Sequence, residues 1–177
     1  MNDRTALKEL VKKDALRIGA FVLASGKRSD LYVDMRKVTL NPAGAVIIGS
    51  VIYEIIRDMD IDAIGGMSLG ADPIATAASI IAYQRGKEIN AFLVRKEKKS
   101  HGTQNWIEGP ISPGQKVVVV EDVITTGGST LMAIERIEES GLLVEMVIAV
   151  FDRSEGGKQV IESRGYRVNP ILCREDL

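Results

Sequence analysis

Four consecutive valines, Val117 to Val120, run directly into two adjacent acids, Glu121 and Asp122. β-Branched residues favour strands, and a strand without polar alternation must be buried on both of its faces. Two neighbouring carboxylates repel each other and are costly to desolvate. We therefore expect a buried strand that ends at the acid pair, with the acids at the carboxyl edge of a sheet, where open α/β sheets bind ligands.

The rest of the chain alternates between short apolar runs and segments with helical periodicity. The predicted helices are Asp3–Ile18, Ala43–Met59, Pro73–Arg85, Ser129–Glu139 and Gly157–Arg164. The predicted strands are Ala63–Met67, Ala91–Val94, Lys116–Glu121, Val144–Phe151 and Arg167–Cys173, with two further β-like runs within residues 19–36. This order predicts an α/β fold in which helices cover both faces of a central parallel sheet.

Composition limits the classes of protein that this chain can belong to. Its 177 residues suit a single domain, and a net charge of −1 gives no basic field for nucleic acid. The single cysteine, Cys173, excludes an internal disulfide and fits a reducing, cytoplasmic compartment. We expect no membrane span, because no window of about 18 apolar residues occurs. The mixed charges near the N-terminus argue against a signal peptide.

The acid pair is followed by a hydroxyl- and glycine-rich turn, Thr125 to Thr130, that enters a predicted helix. Backbone N–H groups and hydroxyls at a helix N-terminus form an anion site suited to a phosphate monoester. The acids could then accept hydrogen bonds from sugar hydroxyls or hold magnesium. A ribose 5-phosphate would therefore satisfy both the acid pair and the phosphate-binding turn. The turn matches neither a P-loop nor a dinucleotide fingerprint. A purely structural strand–turn–helix connection is the alternative.

Four segments resemble one enzyme family, in order and over nearly the whole chain. Residues 117–130, "VVVVEDVITTGGST", resemble the phosphoribosyl-diphosphate motif of type I phosphoribosyltransferases. The segments "FVLASGKRSDLYVDMRKVTLNP" (21–42), "VRKEKKSHG" (94–102) and "FDRSEGG" (151–157) resemble the orotate phosphoribosyltransferases in particular. The resemblance implies a small N-terminal hood made of elements at approximately 1–40 and 156–177, and a long mobile loop at 95–114.

The resemblance also implies a reaction and a set of site residues. The 5-phosphoribosyl group of 5-phosphoribosyl 1-diphosphate (PRPP) would pass to orotate, giving orotidine 5′-monophosphate and pyrophosphate in de novo UMP synthesis. The implied catalytic residues are Lys99, His101 and Asp122, and the implied orotate-binding residues are Thr125 and Arg153. The implied PRPP-binding residues are Arg95, Lys96, Lys99, His101, Glu121, Asp122, Val123, Ile124, Thr125, Thr126, Gly127, Gly128 and Ser129.

The same resemblance implies a cofactor and a partner. Magnesium (Mg2+) would be held mainly by the substrate, without a direct protein ligand. The enzyme would be a homodimer in which Arg95, Lys99 and His101 reach the neighbouring subunit's site, while Lys96 serves its own. The alternative for the cations of this loop, Lys98 included, is a solvated charge run.

Two positions depart from the family pattern. Bacterial members carry lysines where Ala24 and Gly70 stand. Lys27 or Arg28 could replace the first. The "MSLGADP" turn, 67–73, could bind pyrophosphate through its backbone instead of the second.

Two further assignments remain open on the sequence alone. Asp72 could order water around magnesium or cap the following helix. Arg153 could form an ion pair with Asp152 or Glu155 instead of binding orotate.

Two other functions remain compatible with the fold. One is a phosphoribosyltransferase for a purine base, against which Arg153 and the N-terminal match argue. The other is a ligand-sensing regulator, which would need a DNA-binding segment for which the first 20 residues have little room.

Overall fold

The computed structural model describes residues 2–22, 28–97 and 105–177. Its α-helices are α1 (Asp3–Leu10), α2 (Arg36–Thr39), α3 (Pro42–Ile56), α4 (Asp72–Gln84), α5 (Gly128–Glu139) and α6 (Gly157–Glu162). Its strands are β1 (Leu16–Val22), β2 (Arg28–Val33), β3 (Ala63–Met67), β4 (Asn90–Val94), β5 (Ile107–Glu108), β6 (Lys116–Ile124), β7 (Leu143–Asp152) and β8 (Val168–Cys173). In this part of the chain, no helix is long and apolar enough to span a membrane.

The main sheet has six strands in the order β5-β4-β3-β6-β7-β8. All of its pairings are parallel except that of the short β5, which runs antiparallel to β4. The predicted fold class, a mostly parallel sheet flanked by helices, is therefore confirmed. Strand order reverses where β3 lies beside β6, and ligands bind at such a point in open α/β sheets.

The valine run is buried because helices pack on both faces of β6. Val118 and Val120 belong to one apolar cluster, together with residues of α3 and α4. Val117 and Val119 belong to a second cluster, together with residues of α5 and α6. Alternate side chains of a strand point to opposite faces, so an unbroken valine run fills both cores at once.

A separate two-stranded sheet, β1 with β2, stands beside the main one, and α1 precedes it. The Arg4 Nε of α1 donates to the carbonyl of Ile171 in β8 at 2.8 Å, and its guanidinium pairs with Asp176 at 3.1 Å. The first and last segments of the chain are thus bonded to each other. These are the segments predicted to form the hood, whose bounds remain a prediction.

Four local features differ from the sequence-based prediction. The first helix ends sooner than predicted: a π-helical turn covers Val11–Ala15, and the chain enters β1 at Leu16 because this residue pairs with Val33. The predicted loop 95–114 contains β5, and the four-residue α2 was not predicted. Strand β6 continues through the acid pair to Ile124, because pairing with β7 extends to Asp152.

Candidate functional site

The candidate site is the crevice where β3 and β6 end side by side. The turn after β3 runs from Ser68 to Ala71 and leads into α4. Residues 125–127 connect β6 to α5. The turn after β3 comes close to the end of β6 at Gly70, where an added Cβ would lie 2.7 Å from Oδ1 of Asp122. A side chain at position 70 would therefore displace Asp122, and the turn offers its backbone at this point.

The start of α5 is open to an anion. Gly127 caps the helix with a left-handed backbone (φ 82°), and no side chain caps the helix N-terminus in the described structure. Thr126, Gly128 and Ser129 are exposed around it. A left-handed cap favours glycine, and uncapped N–H groups at the positive end of a twelve-residue helix attract a phosphate. The helix start is therefore open, and its use as a phosphate cradle stays a prediction.

Other residues of the predicted PRPP segment are less accessible. Ile124 is buried in the core, so only its backbone could reach a ligand. Val123 and Thr125 are half-buried, and the Thr125 carbonyl accepts a hydrogen bond from the Gly157 N–H at 3.1 Å. This bond fixes the cradle against the segment that follows β7.

The two acids occupy different environments. Glu121 is 6% exposed, and its Oε2 accepts a hydrogen bond from the Thr130 hydroxyl at 3.0 Å. Burial, followed by the neighbouring Asp122 charge, raises the pKa of Glu121 to about 8. Asp122 is half-buried and accepts a hydrogen bond from the Val123 N–H at 2.8 Å. Asp122 is thus the more accessible carboxylate of the pair.

The predicted cations lie partly outside the described residues. Lys98, Lys99 and His101 fall in the segment 98–104, which the structure does not describe. Arg95 follows β4, and its Nη1 pairs with Glu108 of β5 at 3.0 Å. Arg95 and the exposed Lys96 line a recess of about 390 Å³ together with Ser68 and Leu69, beside the turn after β3.

Arg153 lies just beyond β7 and is buried, with 7% of its surface exposed. Its N–H donates to the Ile124 carbonyl at 3.0 Å, so its backbone adjoins the end of β6. Its Nη2 donates to the Leu31 carbonyl of β2 at 3.1 Å and pairs with Glu155 at 2.8 Å. The alternative ion pair between Arg153 and Glu155 is therefore present, but the guanidinium that forms it is buried and not on the surface.

The turn after β3 is held by Asp72, whose Oδ1 accepts a hydrogen bond from the Ser68 hydroxyl at 2.9 Å. Asp72 is the first residue of α4, and no side-chain hydrogen bond caps this helix in the structure. The capping alternative for Asp72 is therefore not observed. Asp72 instead stabilises the turn that faces Asp122.

Three side chains near the crevice were not predicted from the sequence to belong to the site. Arg36 donates to Asp34 at 2.8 Å. Its pKa is raised by that hydrogen bond and, to a smaller extent, by the charge of Asp122. Arg136 and Trp106 stack behind the end of β4. Their only sequence signal was that Trp106 is the single tryptophan of a long polar segment.

The described residues contain no group of three or more His, Cys, Asp or Glu side chains that could hold a metal ion. Asp122 and Asp72 lie at this crevice beside the buried Glu121, and one oxygen of Asp72 already accepts a hydrogen bond from Ser68. Carboxylate oxygens are ligands that a hard cation such as magnesium accepts, and the expectation that the substrate holds most of its coordination stays a prediction.

Comparison with known proteins gives consistent matches. The phosphoribosyl transferase domain model matches residues 34–169. The orotate phosphoribosyltransferase of Aquifex aeolicus is 45% identical over 180 residues, covering 100% of this chain and 98% of the relative. A phosphoribosyltransferase from Corynebacterium diphtheriae superposes with a TM-score of 0.86 at 42% identity, covering 100% of this chain and 99% of that one.

A further solved structure includes a ligand. It is the orotate phosphoribosyltransferase of Mycobacterium tuberculosis in complex with 5-phospho-α-D-ribosyl 1-diphosphate. It superposes with a TM-score of 0.82 at 38% identity and covers 98% of each chain.

The raised pKa of Glu121 predicts a pH-dependent stability. Below the ordinary glutamate pKa, Glu121 is protonated in both the folded and the unfolded protein, and its contribution to the free energy of unfolding is fully present. As pH rises towards 8, the unfolded state ionises while the folded state keeps its proton, so stability falls by roughly 4 kcal/mol. We expect Glu121→Gln to remove this decline, and urea unfolding of both proteins from pH 5 to pH 8.5 measures it.

The exposed Glu135→Gln variant on α5 is the matched control and should follow the wild type at every pH. If Glu121→Gln and wild type lose stability in parallel between pH 5 and pH 8, Glu121 is ionised in the folded protein.

Proposed function

Because this chain belongs to the orotate phosphoribosyltransferases, within the phosphoribosyl transferase domain family, we propose that it transfers the 5-phosphoribosyl group of PRPP to orotate. The products are orotidine 5′-monophosphate and pyrophosphate. The observation that supports this function best lies at the β3–β6 crevice. The backbone turn after β3 closely approaches Asp122 of β6, and β6 is followed within a few residues by the open N-terminus of α5.

These parts match the three charged regions of PRPP. The cradle at 125–129 suits the 5-phosphate, and Asp122 suits the ribose hydroxyls. The turn after β3, with Arg95 and Lys96 beside it, suits the diphosphate. A phosphorylated sugar diphosphate would therefore extend from α5 across Asp122 to the end of β4.

The reaction exchanges two bonds at the ribose C1. A ring nitrogen of orotate forms the new bond and gives up its proton, and the C1–O bond to the diphosphate breaks with its electron pair leaving on pyrophosphate, which can take up that proton. Positive charge develops on the sugar, and Asp122 stabilises it where it forms. Arg95, Lys96 and the predicted Lys99 and His101 stabilise the leaving group. Magnesium, held mainly by the substrate, would neutralise part of the diphosphate charge.

The acceptor base is tested directly by release of pyrophosphate. Purified protein with PRPP and magnesium should release pyrophosphate with orotate and not with hypoxanthine or uracil. Turnover with hypoxanthine would support the purine alternative. Tight PRPP binding without turnover on any of the three bases would support the ligand-sensing alternative. Omission of magnesium should abolish the orotate reaction.

Arg153 is proposed to select orotate through its carboxylate. Its guanidinium is already placed by the Leu31 carbonyl and by Glu155, and an anionic base would enter this environment as a further partner. We expect Arg153→Leu to raise KM for orotate by the equivalent of about 1.5–3 kcal/mol, with a much smaller change for PRPP. Steady-state kinetics with each substrate varied in turn measures both.

Glu155→Gln is the matched control, because it removes the ion pair and keeps both the size of the side chain and the hydrogen bond from Arg153 to the Leu31 carbonyl. It should not raise KM for orotate. Equal losses for both substrates in Arg153→Leu would instead assign Arg153 to holding β2 against β7.

We infer a homodimer formed through an apolar surface of α2, α3 and α4. Leu40, Val46 and Ile80 are 70%, 56% and 52% exposed, and they line a recess of about 530 Å³. Large exposed apolar patches mark interaction sites. Asp72 and Pro73 also line this recess, so a partner seated here would lie next to the turn that faces Asp122. Such a position supports a site shared between subunits.

The shared site predicts complementation between two inactive variants. Lys99→Ala removes a cation proposed to act in the partner's site, and Asp122→Asn removes a carboxylate of its own site. Each variant alone should be nearly inactive. After subunit exchange, about half of the dimers are mixed, and each has one site with both wild-type residues. About a quarter of wild-type activity should return.

Subunit exchange is checked with mass-tagged chains. Exchange without recovered activity would place Lys99 in its own subunit's site. A monomer in sedimentation would contradict the dimer itself, and Leu40→Asp is expected to produce such a monomer from a dimeric wild type.

A further inference from the structure

Arg136, in the last turn of α5, makes three contacts outside its own helix. Its Nη1 donates to the Arg95 carbonyl at 2.7 Å and lies 3.7 Å from the sulfur of Met67. Its guanidinium carbon lies 4.1 Å from the centre of the Trp106 ring, within the range of a cation–π contact. One side chain of α5 therefore touches the end of β3, the residue after β4 and the residue before β5.

These partners are also bonded to one another. The Arg95 N–H donates to the Trp106 carbonyl at 2.8 Å, and the Trp106 Nε1 donates to Glu139 of α5 at 2.8 Å. The Ser68 N–H donates to the Val94 carbonyl at 2.9 Å. Arg136 thus contacts Met67 and Arg95, the residues that flank the bond between the turn after β3 and the end of β4.

We propose that Arg136 is a positioning residue for the diphosphate of PRPP. It keeps the turn after β3 and the Arg95–Lys96 backbone at a fixed spacing, so that both face one recess. This inference rests on the proposed function, because it takes the recess beside Ser68 and Lys96 as the diphosphate site. Arg136 itself does not line that recess and is not a catalytic residue.

A purely structural role would use different contacts. A cation in the last turn of a helix interacts favourably with the helix dipole even when its side chain points into solvent. Arg136 is instead half-buried, and its Nη1 bonds to the carbonyl of a residue 41 positions away. A guanidinium is suited to this arrangement, because it can stack on a ring and donate in its plane at the same time. Lysine keeps the charge and can donate to the carbonyl, but it lacks the planar group that stacks on the ring.

The test compares three variants. Arg136→Met keeps most of the length of the side chain and removes the charge and the donors. Arg136→Lys keeps the charge and loses the planar stack. Tyr166→Phe is the matched control: it removes the 2.7 Å hydrogen bond to Glu138, which anchors the same end of α5 without touching Arg95 or Met67. Each variant is assayed for KM of PRPP and of orotate, for pyrophosphate affinity by calorimetry with magnesium, and for its unfolding midpoint.

We expect Arg136→Met to raise KM for PRPP and to weaken pyrophosphate binding by about tenfold, as for a lost hydrogen bond from a charged donor. KM for orotate should change by less than about twofold, since the base is not proposed to contact the turn after β3 or the Arg95–Lys96 backbone. Arg136→Lys should fall between wild type and Arg136→Met, and Tyr166→Phe should match wild type. Trp106, the only tryptophan, should shift its fluorescence when pyrophosphate binds, and Arg136→Met should reduce that shift.

Three results would overturn the proposal. One is a lower unfolding midpoint for Arg136→Met with unchanged pyrophosphate affinity, which would leave Arg136 a structural role only. Another is an equal rise in KM for both substrates. The third is an effect of Tyr166→Phe as large as that of Arg136→Met. Should Arg136→Met fail to fold, Arg136→Lys and Trp106→Phe provide the same comparison. A wild type that binds pyrophosphate but does not use orotate would contradict the proposed function and leave this test intact.

Discussion

Parallel pairing of β6 with β3 on one side and with β7 on the other is the interaction on which the remaining structure depends. The pairing places β6 between two apolar clusters, one on each face of the sheet. A shift of register by one residue would exchange the two sets of valines and carry Glu121 away from Thr130. The position of the phosphate cradle is therefore a consequence of core packing. The cradle begins only one residue after β6 ends, so it has little freedom of its own.

Close approach of neighbouring strands makes this pairing possible. β3 contains Gly65 and Gly66, and an added Cβ would lie 2.2 Å from the Phe92 carbonyl oxygen and 2.1 Å from the Val120 carbonyl oxygen, respectively. Such distances cannot be accommodated without moving a backbone. The side-chain-free centre of β3 thus brings β4 and β6 close on either side. Their carboxyl ends then bound one crevice instead of two separate edges.

Much of this arrangement could be predicted from local sequence, and the exceptions share a cause. Short, predominantly apolar runs identified β3, β4, β6, β7 and β8, because burial on both faces leaves a strong compositional signal. The start of β1 at Leu16 and the existence of β5 depend on strands elsewhere in the chain, and helical periodicity cannot show such pairing. The glycine- and hydroxyl-rich turn correctly predicted the start of α5, because Gly127 in the sequence marks a left-handed helix cap. Arg136 was missed because its partner Arg95 is remote in sequence and carries no matching pattern.

Three arginines around the crevice already have an acidic partner from this chain. Arg36 pairs with Asp34, Arg95 with Glu108, and Arg153 with Glu155. Because an acidic side chain already compensates the charge of each arginine, a ligand that binds there does not have to desolvate an unpaired cation. It must, however, compete with a carboxylate, and a weak anion gains little from that exchange. A diphosphate carries more charge and more acceptor oxygens than one carboxylate, so the exchange favours it at Arg95. At the buried Arg153, the guanidinium is held in place by the Leu31 carbonyl, and a planar carboxylate of the right position can add to it without reorganising the site. We infer that these internal acids disfavour small anions at the proposed site, so that a chain with a net charge of −1 can bind an anionic ligand selectively.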